Sequence, residues 1–582
     1  MKLHIHQTHH AIADFTNFFS ALEEVLQSGE AGAHIFPELF MSGYPLQDLC
    51  LQKPYIERHE KFLNELNQLV VKNERKDMLI LAGGVRYELT TQALPLRLSN
   101  VVYRLEPGKT IEAVYAKQLL PNYDIFDEMK YFTPGSESSV LEWKGKFFGL
   151  LVCEDMWSSS FHHKDPVMDL KKKIDKDGVK LDALINLSAS PYVVNKDSKR
   201  KERSRFISNL FNAPYIYVNK VGGEDEILFD GRSFVMAGND LALELARFKA
   251  DQETFHLGDK KIEYEKELAP QEENTWEELF SARIAPSSPK LKELSDSECE
   301  EVLEAVCFGV QEYALKNGFN RFTVALSGGM DSSLVLTLLR LSLKEGQYLE
   351  AIYMPSVHSS PLSHECCLDL CQNLGVPFKS LPIKFMHSTA KNLFSQTFSQ
   401  PFEGLVDENI QSRLRGTLLY TRSNQIGSMV VNTSNKSELA VGYSTQYGDS
   451  VGAISMLGDL YKSEVYQLAR HINQTRDNII PPKIITREPS AELRPGQVDT
   501  ESLPPYERLD AILEGILTYR HSASDLINFG FETKEVEKVF NLYRRSEFKR
   551  YQFCPIVKIS SKSFGFGYRI PLSKASDFYL EE

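Results

Sequence analysis

The chain has 582 residues, of which 42% are hydrophobic and 25% are charged, a composition typical of globular proteins and not of disordered chains or coiled coils. At roughly 150 residues per domain, this length predicts about two to four domains. The 79 acidic residues outnumber the 66 lysines and arginines, and the net charge of −13 argues against a broad surface for DNA or RNA. We therefore expect small-molecule substrates and no nucleic-acid partner.

The sequence also argues against membrane association. No run approaches the ~18 consecutive apolar residues of a membrane-spanning helix, and the N-terminus lacks an apolar signal core followed by a small-residue cleavage site. The eight cysteines are scattered, and Cys366, Cys367 and Cys371 do not form the paired CxxC pattern of a zinc site. These features predict a cytoplasmic location, where thiols stay reduced.

The first 258 residues alternate short apolar runs with amphipathic stretches. Strands are predicted at residues 33–36, 78–82, 147–152, 182–187 and 215–218, and helices at 15–27 and 56–71, where apolar side chains recur at helical spacing. The charged segment 157–180, which includes Lys171, Lys172 and Lys173, is predicted to be a solvated loop. The alternation predicts a mixed α/β domain whose strands are largely buried.

Residues 259–299 differ in character from what precedes them. Segment 260–278 is dense in charge, and prolines at 286 and 289 then interrupt any regular element. We interpret 259–299 as a linker between a domain at 1–258 and a domain at 300–582. An irregular loop inside one domain is the alternative, but loops of this length are uncommon in compact domains.

The second domain follows a strand–helix rhythm. Helices are predicted at residues 300–317, 332–343 and 363–374, and strands at 321–326, 349–354 and 377–382. This rhythm is typical of a doubly wound parallel sheet.

The sharpest motif is a glycine loop between a predicted strand and a predicted helix. It reads Leu326-Ser327-Gly328-Gly329-Met330-Asp331-Ser332-Ser333. Glycines let backbone N–H groups approach an anion, the helix N-terminus adds about half a positive charge, and serine hydroxyls donate further hydrogen bonds. A plain turn capped by Ser332 is the alternative, but the complete SGGxDS pattern in this position favours nucleotide binding.

The loop resembles the pyrophosphate loop of enzymes that split ATP into AMP and pyrophosphate. By this resemblance the eight residues 326–333 bind ATP, and Ser327, Asp331 and Ser332 hold the pyrophosphate and its Mg²⁺. Enzymes of this class activate a carboxylate or carbonyl as its adenylate, and a nitrogen or sulfur nucleophile then displaces AMP.

Ordered motifs downstream narrow the family. They are ENIQSRLRG at 408–416, VNTSNKSELAVGY at 431–443, YGD at 447–449, GDLYK at 458–462, PSAEL at 489–493 and FKR at 548–550. From about residue 300 to 570, the chain resembles the synthetase domain of NAD synthetase. The resemblance implies that Thr433 contacts ATP, that Asn409 and Lys549 contact deamido-NAD, and that Glu438 contacts this substrate or, with Asp331, the Mg²⁺.

These residue types suit the implied chemistry. A carboxylate such as Glu438 supplies the hard oxygen ligands that Mg²⁺ requires. Lys462 and Lys549 can neutralise charge on phosphoryl oxygens. Each residue alone is more typical of a solvated surface, and the ordered set carries the interpretation. Synthetase domains of this family pair as dimers, so the resemblance also implies a homo-oligomer.

Three residues of the first domain follow predicted strands. Glu38 follows the run 33–36, Lys117 follows 111–116 and Cys153 follows 148–152. Side chains at the carboxyl ends of strands converge on one crevice. A thiol attacks a carboxamide only as thiolate, a carboxylate in apolar surroundings can remove its proton, and an ammonium can stabilise the resulting oxyanion. Each residue alone is more typical of a buried thiol or a solvated charge.

With its flanking motifs, this set resembles the nitrilase superfamily, and specifically the glutamine amidase domain fused to NAD synthetase. The motifs are SGYP at 42–45, LPNY at 120–123, NLSASPY at 186–192 and FDGRS at 229–233, and the resemblance covers about residues 1–250. It implies an αββα sandwich, catalysis by Glu38, Lys117 and Cys153, and glutamine binding by Tyr123, Ser190 and Lys196.

The N-terminus carries His4, His6, His9 and His10. An HxH pattern on a strand points two imidazoles to one face, which could bind zinc, but no acidic residue or cysteine lies nearby in the sequence. Stacked polar side chains on an edge strand are the favoured interpretation.

Together the two halves predict one reaction. Cys153 attacks the side-chain amide of glutamine, and water activated by Glu38 releases glutamate. In the second domain ATP adenylates deamido-NAD, and the ammonia displaces AMP to give NAD. Two alternatives stay open: a non-catalytic first domain with free ammonia as nitrogen source, and a tRNA-modifying enzyme, which the acidic charge and the missing CxxC pairs disfavour.

Overall fold

The computed structural model describes residues 1–92, 94–157, 164–258, 262–265, 290–499 and 502–575. The chain divides into two compact units, Met1–Trp276 (unit 1) and Glu277–Glu582 (unit 2). Most of the predicted linker 259–299 lies outside the described residues, so its bounds stay a prediction.

Unit 1 contains fourteen described strands. They are β1 (Lys2–Gln7), β2 (Gly32–Ile35), β3 (Met78–Leu89), β4 (Pro95–Leu105), β5 (Glu112–Ala116), β6 (Ser139–Trp143), β7 (Lys146–Val152), β8 (Ala183–Ser188), β9 (Tyr215–Asn219), β10 (Val221–Glu224), β11 (Ile227–Asp230), β12 (Phe234–Ala237), β13 (Asp240–Glu244) and β14 (Asp251–His256). Twelve of these form two six-stranded sheets, in the orders β14-β1-β2-β3-β4-β5 and β13-β12-β9-β8-β7-β6, and β10 pairs with β11.

The two sheets of unit 1 face each other across an apolar core, in which Ile5 and Leu81 of one sheet meet Leu150 and Ile216 of the other. The helices are α1 (Phe15–Ser28), α2 (Lys53–Lys72), α3 (Pro166–Asp177) and α4 (Lys196–Phe211). Helices α3 and α4 cover the outer face of the second sheet. The phenyl rings of Phe15 in α1 and Phe62 in α2 pack at 5.5 Å. The predicted αββα sandwich is confirmed.

The prediction of a solvated loop at 157–180 is wrong in part, because α3 lies inside this segment. Residues 158–163 are outside the described residues. Helix α3 begins with the N-cap Asp165, whose carboxylate accepts from the Met168 N–H at 3.0 Å. Its Val167, Leu170 and Ile174 side chains are buried at helical spacing, while the lysines occupy the solvent face.

The histidine cluster lies inside a sheet and not at its edge. Strand β1 has β14 on one side and β2 on the other. The imidazole of His34 stacks on His4 at 4.3 Å, and its Nδ1 lies 2.9 Å from Nε2 of His6. Within the described residues, no group of three or more His, Cys, Asp and Glu side chains could hold a metal ion, so zinc binding gains no support.

Unit 2 is built on a five-stranded parallel sheet. Its strands are β15 (Arg321–Ala325), β16 (Tyr348–Tyr353), β17 (Phe378–Ser380), β18 (Met429–Asn432) and β19 (Ile454–Ser455), in the order β17-β16-β15-β18-β19. The chain therefore reverses direction across the sheet between β15 and β18, the arrangement that places ligands at the strand ends. The predicted doubly wound parallel sheet is confirmed.

Twelve described helices surround and extend this sheet. They are α5 (Asp296–Lys316), α6 (Met330–Ser342), α7 (Pro361–Leu374), α8 (Lys384–Phe398), α9 (Leu405–Ile426), α10 (Lys436–Val441), α11 (Lys462–Thr475), α12 (Pro482–Thr486), α13 (Tyr506–Glu514), α14 (Ala523–Asn528), α15 (Thr533–Arg545) and α16 (Glu547–Arg550). A second apolar core, with Ile512 and Phe540 among its members, joins α10, α13 and α15. No helix among the described residues is long and apolar enough to span a membrane.

The histidine cluster generates a prediction about acid stability. Burial lowers the pKa of His34 to about 4. Between about pH 6.5 and 4, the His34 imidazole is therefore protonated in the unfolded chain and neutral in the folded unit. The contribution of His34 to the free energy of unfolding is fully present above the unfolded pKa. As the pH falls toward about 4, this residue lowers the free energy of unfolding by about 3 kcal/mol. A His34→Gln variant keeps one donor and one acceptor without titrating, so its unfolding midpoint in urea should depend less on pH between 6.5 and 4.

His256→Gln is the matched control, because His256 lies exposed on β14. Equal pH dependence of the urea midpoint in His34→Gln and in the wild-type chain would contradict the prediction.

Candidate active sites

Cys153 stands where β7 ends and a short 3₁₀ turn, Cys153–Met156, begins. Its φ of +45° is a strained backbone conformation for a residue with a side chain. The Cys153 N–H donates to Oδ1 of Asn186 on β8 at 2.6 Å. Strain of this kind persists where the surroundings enforce it, and it frequently marks a functional residue.

Glu38 and Lys117, which sequence reasoning placed at strand ends, meet inside unit 1. The Lys117 ammonium donates to Oε1 of Glu38 at 2.8 Å. Glu38 also accepts from Nδ2 of Asn100 at 2.7 Å and from the Ala189 N–H at 2.8 Å. Because Asn100 belongs to the first sheet and Ala189 follows a strand of the second, one carboxylate is held from both sheets.

A second carboxylate completes this set. Glu128, in a 3₁₀ turn between β5 and β6, accepts from the Lys117 ammonium through both oxygens, at 2.9 and 2.8 Å. The Tyr44 hydroxyl donates to the same carboxylate at 2.9 Å. Sequence reasoning missed Glu128, because it lies in an irregular segment without a motif of its own.

Burial and charge together set the protonation of the groups near Cys153. Burial, reinforced by the negative charge of Glu38, raises the pKa of the Cys153 thiol well above its ordinary value. Burial opposes the charge of Lys117, but the attraction of Glu128 and Glu38 outweighs it and raises the pKa of the ammonium. The thiol therefore needs a base to become nucleophilic, and a buried carboxylate can serve.

The three predicted glutamine ligands lie in unit 1 among charged partners. The Tyr123 hydroxyl donates to both carboxylate oxygens of Glu154, at 3.0 and 3.1 Å. The Ser190 hydroxyl accepts from Nη2 of Arg200 at 3.2 Å. Lys196 donates to the Pro191 carbonyl at 3.2 Å, and burial lowers the pKa of its ammonium to about 8.

Asp155 ties the Lys117 segment to the Cys153 segment. Its Oδ1 accepts from the N–H groups of Gln118 and Leu119, at 3.0 and 2.8 Å, and its Oδ2 accepts from the Val152 N–H at 3.1 Å. One buried carboxylate thus binds the backbone that follows Lys117 and the backbone that precedes Cys153.

In unit 2, a cavity of about 260 Å³ opens between the ends of β15 and β18. Of the predicted ATP ligands, those that line it are Leu326, Ser327, Gly329, Met330, Asp331, Ser332 and Thr433. The other two belong to the wall of the loop itself: Gly328 packs on the backbone of Ser363, and the Ser333 hydroxyl donates to the Gly329 carbonyl at 2.7 Å. The cavity therefore lies where a doubly wound sheet binds its ligands.

A second buried lysine gathers two acidic residues at this cavity. The Lys462 ammonium donates to Asp331 and, at 3.2 Å, to Oε1 of Glu438. Asn435 also donates to Asp331, at 2.9 Å. Burial raises the pKa of Glu438, with Lys462 opposing the rise and Asp331 adding to it.

The carboxylates of Asp331, on α6, and Glu438, on α10, fit a magnesium ion. Both contact the Lys462 ammonium and so lie close together, and both offer hard oxygen ligands. No group of three or more His, Cys, Asp and Glu side chains in the described part of the chain could hold a metal ion, so these two carboxylates would not form a complete shell by themselves. Mg²⁺ commonly takes one or two carboxylates and completes its shell with substrate phosphates and water.

The predicted deamido-NAD ligands Asn409 and Lys549 do not line this cavity and instead meet at a neighbouring turn. The Lys549 ammonium donates to the carbonyls of Gly442 and Ser444, at 2.7 and 2.6 Å. Asn409 accepts from the Thr445 hydroxyl at 2.8 Å. Burial lowers the pKa of Lys549.

Comparisons with known proteins identify the family of each half of the chain. The carbon-nitrogen hydrolase family model matches residues 6–238, and the NAD synthase family model matches residues 302–553. A glutamine-dependent NAD(+) synthetase of Synechocystis sp. is 37% identical over 559 residues, covering 94% of each chain. The chain belongs to the glutamine-dependent NAD(+) synthetase family. Another member, from Aquifex aeolicus, is 35% identical and covers 98% of this chain and 99% of its own.

Solved structures of the family support the fold. The glutamine-dependent NAD+ synthetase of Acinetobacter baumannii, in complex with ADP, aligns with a TM-score of 0.70 at 30% identity and covers 98% of both chains. The family member from Cytophaga hutchinsonii aligns with a TM-score of 0.78 at 18% identity, covering 99% of this chain and 98% of its own.

The buried Lys117 set generates a prediction about Glu128. A Glu128→Gln variant keeps the shape of the side chain. It removes the negative charge that faces the Lys117 ammonium and can place an amide N–H group against that ammonium. We expect the kcat of glutamine hydrolysis to fall roughly hundredfold, within the range that a positioned acid–base group supplies. The control is Glu137→Gln, which changes an exposed residue of the same connection. Equal glutaminase rates in the two variants would show that Glu128 has no part in the reaction.

Proposed function

We propose that the chain hydrolyses glutamine in unit 1 and uses the ammonia in unit 2 to convert deamido-NAD to NAD, with ATP split to AMP and pyrophosphate. The observation that carries the proposal is the presence of two distinct sites in one chain. Unit 1 holds a thiol on a strained backbone, Cys153, within electrostatic reach of the Glu38–Lys117 pair. Unit 2 holds a cavity of about 260 Å³ at the ends of β15 and β18, lined by most of the loop at 326–333.

In the first half-reaction Glu38 removes the proton of the Cys153 thiol, and the thiolate attacks the side-chain amide carbon of glutamine. The Lys117 ammonium stabilises the tetrahedral oxyanion, whose collapse breaks the C–N bond and leaves a thioester. Glu38 returns the proton to the departing ammonia. Water, deprotonated by Glu38, then cleaves the thioester and gives glutamate.

The glutamine pocket matches both charges of the substrate's backbone. The Glu154 carboxylate, held by the Tyr123 hydroxyl, suits the α-ammonium group. Lys196, within electrostatic reach of Cys153 and Glu154, suits the α-carboxylate. Arg200, paired with Asp230 at 2.9 Å, donates to the Ser190 hydroxyl at 3.2 Å and so fixes its position. We propose Tyr123, Glu154, Ser190 and Lys196 as the glutamine ligands.

In the second half-reaction the nicotinate carboxylate of deamido-NAD attacks the α-phosphorus of ATP and expels pyrophosphate. Ammonia then attacks the carbonyl carbon of the adenylate, and AMP leaves with the bonding electrons. We propose that the loop at 326–333 holds the pyrophosphate, that Thr433 contacts ATP, and that Lys462 neutralises charge on the phosphates. Asn409, Glu438 and Lys549 are the proposed deamido-NAD ligands.

Asp331 and Glu438 are the residues that would hold Mg²⁺ with the nucleotide. The ion would supply Lewis-acid chemistry, withdrawing charge from the phosphate oxygens of the nucleotide. Lys462 pairs with both carboxylates and so fixes their positions relative to each other.

A homo-oligomer through unit 2 is supported by the surface of α8 and the start of α9. Helix α8 buries a single side chain, His387. It exposes Phe385, Leu393 and Phe398 by 79, 61 and 60%, and Leu405 at the start of α9 is 73% exposed. Clusters of this kind mark protein–protein contacts, and we propose a second copy of the chain as the partner.

We also propose a cytoplasmic location. All eight cysteines are free thiols, the state that a reducing compartment maintains. The acidic net charge of −13 fits small-molecule substrates and disfavours nucleic acid.

A Cys153→Ala variant tests the division of labour. With deamido-NAD, ATP and Mg²⁺, we expect the variant to lose NAD formation from glutamine, because no thiolate remains to attack the amide. NAD formation from ammonium should stay at the wild-type rate, since unit 2 is unchanged. Cys50→Ala, which removes another buried thiol of unit 1, is the control. Unchanged glutamine-driven synthesis in Cys153→Ala would mean that unit 1 is a non-catalytic module.

A further inference from the structure

The segment after α12 contributes two charged residues to the cavity wall whose part in the reaction is unassigned. Arg487 and Glu492 both line the cavity. Nη1 of Arg487 donates to the Gly328 carbonyl at 3.2 Å and to the Ser363 hydroxyl at 3.0 Å. Its Nη2 donates to Oε1 of Glu492 at 3.0 Å. One guanidinium thus joins the pyrophosphate loop, the start of α7 and its own segment.

Glu492 fixes the other side of this junction. Its Oε1 accepts from the hydroxyls of Ser360 and Ser363, at 2.8 and 2.7 Å, and its Oε2 accepts from the Ser360 N–H at 3.3 Å. Its φ of +49° is strained for a residue with a side chain. The carboxylate bonds hold that conformation in place, and strain held by its surroundings is a mark of functional segments.

The loop backbone is pressed against α7 at the same point. Gly328 has a φ of +82°, and a Cβ on it would come within 2.5 Å of the Ser363 carbonyl oxygen. Only glycine permits this approach. Any change in Arg487 or Ser363 therefore acts directly on the position of the loop peptide.

The Arg487 contact also sets the direction of a loop N–H group. A peptide unit is planar, and its C=O and N–H point in opposite directions. Because Arg487 binds the Gly328 carbonyl, the N–H of Gly329 is turned away from it, and it donates to the Ser327 hydroxyl at 3.2 Å. Ser327 and Gly329 both line the cavity.

We propose that Arg487 and Glu492 are positioning residues for adenylation: Arg487, held by Glu492, orients the Gly328–Gly329 peptide, whose N–H in turn holds the Ser327 hydroxyl, so that both groups lie at the pyrophosphate site. The inference rests on the proposed use of ATP in this cavity. It differs from a direct contact between the Arg487 cation and the phosphates, because it assigns a positive contribution to an acidic residue in an anion-binding cavity.

Glu492 separates the two accounts. If Arg487 acted only as a cation, then removing the nearby negative charge would raise the positive potential of the cavity and tighten ATP binding. If the junction positions the loop, Glu492→Ala frees Arg487 and slows adenylation. Arg487→Lys separates them again, since an ammonium keeps the charge but does not reproduce the planar fork that binds three partners.

The experiment measures ammonium-driven NAD formation with varied ATP in Arg487→Lys, Glu492→Ala, Glu492→Gln and the double variant Arg487→Lys with Glu492→Ala. We expect kcat to fall at least tenfold in the first two variants, while the KM for ATP changes less than threefold. Glu492→Gln, which keeps the hydrogen-bonding shape, should lose less than Glu492→Ala. The double variant should be no slower than the slower single variant, because both changes break one junction.

Lys483→Gln is the matched control. Lys483 precedes the same segment and pairs with Glu365 and Asp369 of α7, at 2.5 and 2.6 Å, but it does not line the cavity. It should keep the wild-type kcat. Wild-type kcat in Glu492→Ala or Arg487→Lys, a lowered KM for ATP in Glu492→Ala, or additive losses in the double variant would each overturn the proposal.

Two readouts keep this result separate from the proposed function. Wild-type conversion of deamido-NAD, ATP and ammonium to NAD, AMP and pyrophosphate is the baseline, and its failure would count against the proposed function. Glutamine hydrolysis by unit 1 and the thermal midpoint of each variant report folding. If Glu492→Ala melts below the assay temperature, Arg487→Lys decides alone, and a wild-type kcat in that variant overturns the proposal.

Discussion

Each half of this protein depends on one buried ammonium placed between two carboxylates. In unit 1, Lys117 lies between Glu38 and Glu128, with all three side chains at most 5% exposed. In unit 2, Lys462 lies between Asp331 and Glu438. Removing one partner of a buried ion pair leaves an uncompensated charge, at a cost of about 3–5 kcal/mol. The lysine and its two carboxylates therefore fix the geometry of each site, and a substitution of any one of the three should destabilise the fold.

The folds supply these charges from separate strand ends. In unit 1, Glu38 follows β2 and Lys117 follows β5 of the first sheet, while Cys153 follows β7 of the second. In unit 2, Asp331 follows β15, and Glu438 follows β18. Because strand ends converge at one edge of a sheet, residues far apart in the sequence reach one ammonium. The rigid strands hold the charged groups, and irregular segments add the contacts that adjust them.

Strand-end residues were predictable from the apolar pattern of the sequence, whereas Tyr123, in the irregular connection between β5 and β6, was predicted only through the family resemblance. An apolar run precedes each of Glu38, Lys117 and Cys153, and this pattern predicts that the three side chains lie close together. Glu128 escaped because it lies in a connection without a pattern and reaches Lys117 only through the folded path of the chain. Asn100 escaped because a polar residue inside a strand is more typical of a satisfied core amide.

The errors in the predicted helices have local causes, and the error in the predicted sheet has a long-range one. The predicted helix at 300–317 begins at Asp296, where Ser295 and Glu298 form a capping box that the sequence itself displays. Helix α3 was missed because its many lysines suggested a solvated segment, although Val167, Leu170 and Ile174 recur among them at helical spacing. The histidines were assigned to an edge strand because β14, which pairs with β1 through Lys2 and His256, arrives from the far end of unit 1. Long-range pairing of this kind leaves no trace in a local pattern.

The central claim is that nitrogen from glutamine becomes the amide nitrogen of NAD on this one chain. The most direct measurement supplies glutamine labelled with heavy nitrogen at its side-chain amide, together with deamido-NAD, ATP and Mg²⁺, and determines the mass of the NAD formed. We predict that NAD carries the label and that AMP, pyrophosphate and glutamate appear with it. Glutamine hydrolysis without labelled NAD, or NAD formed only from added ammonium, would contradict it.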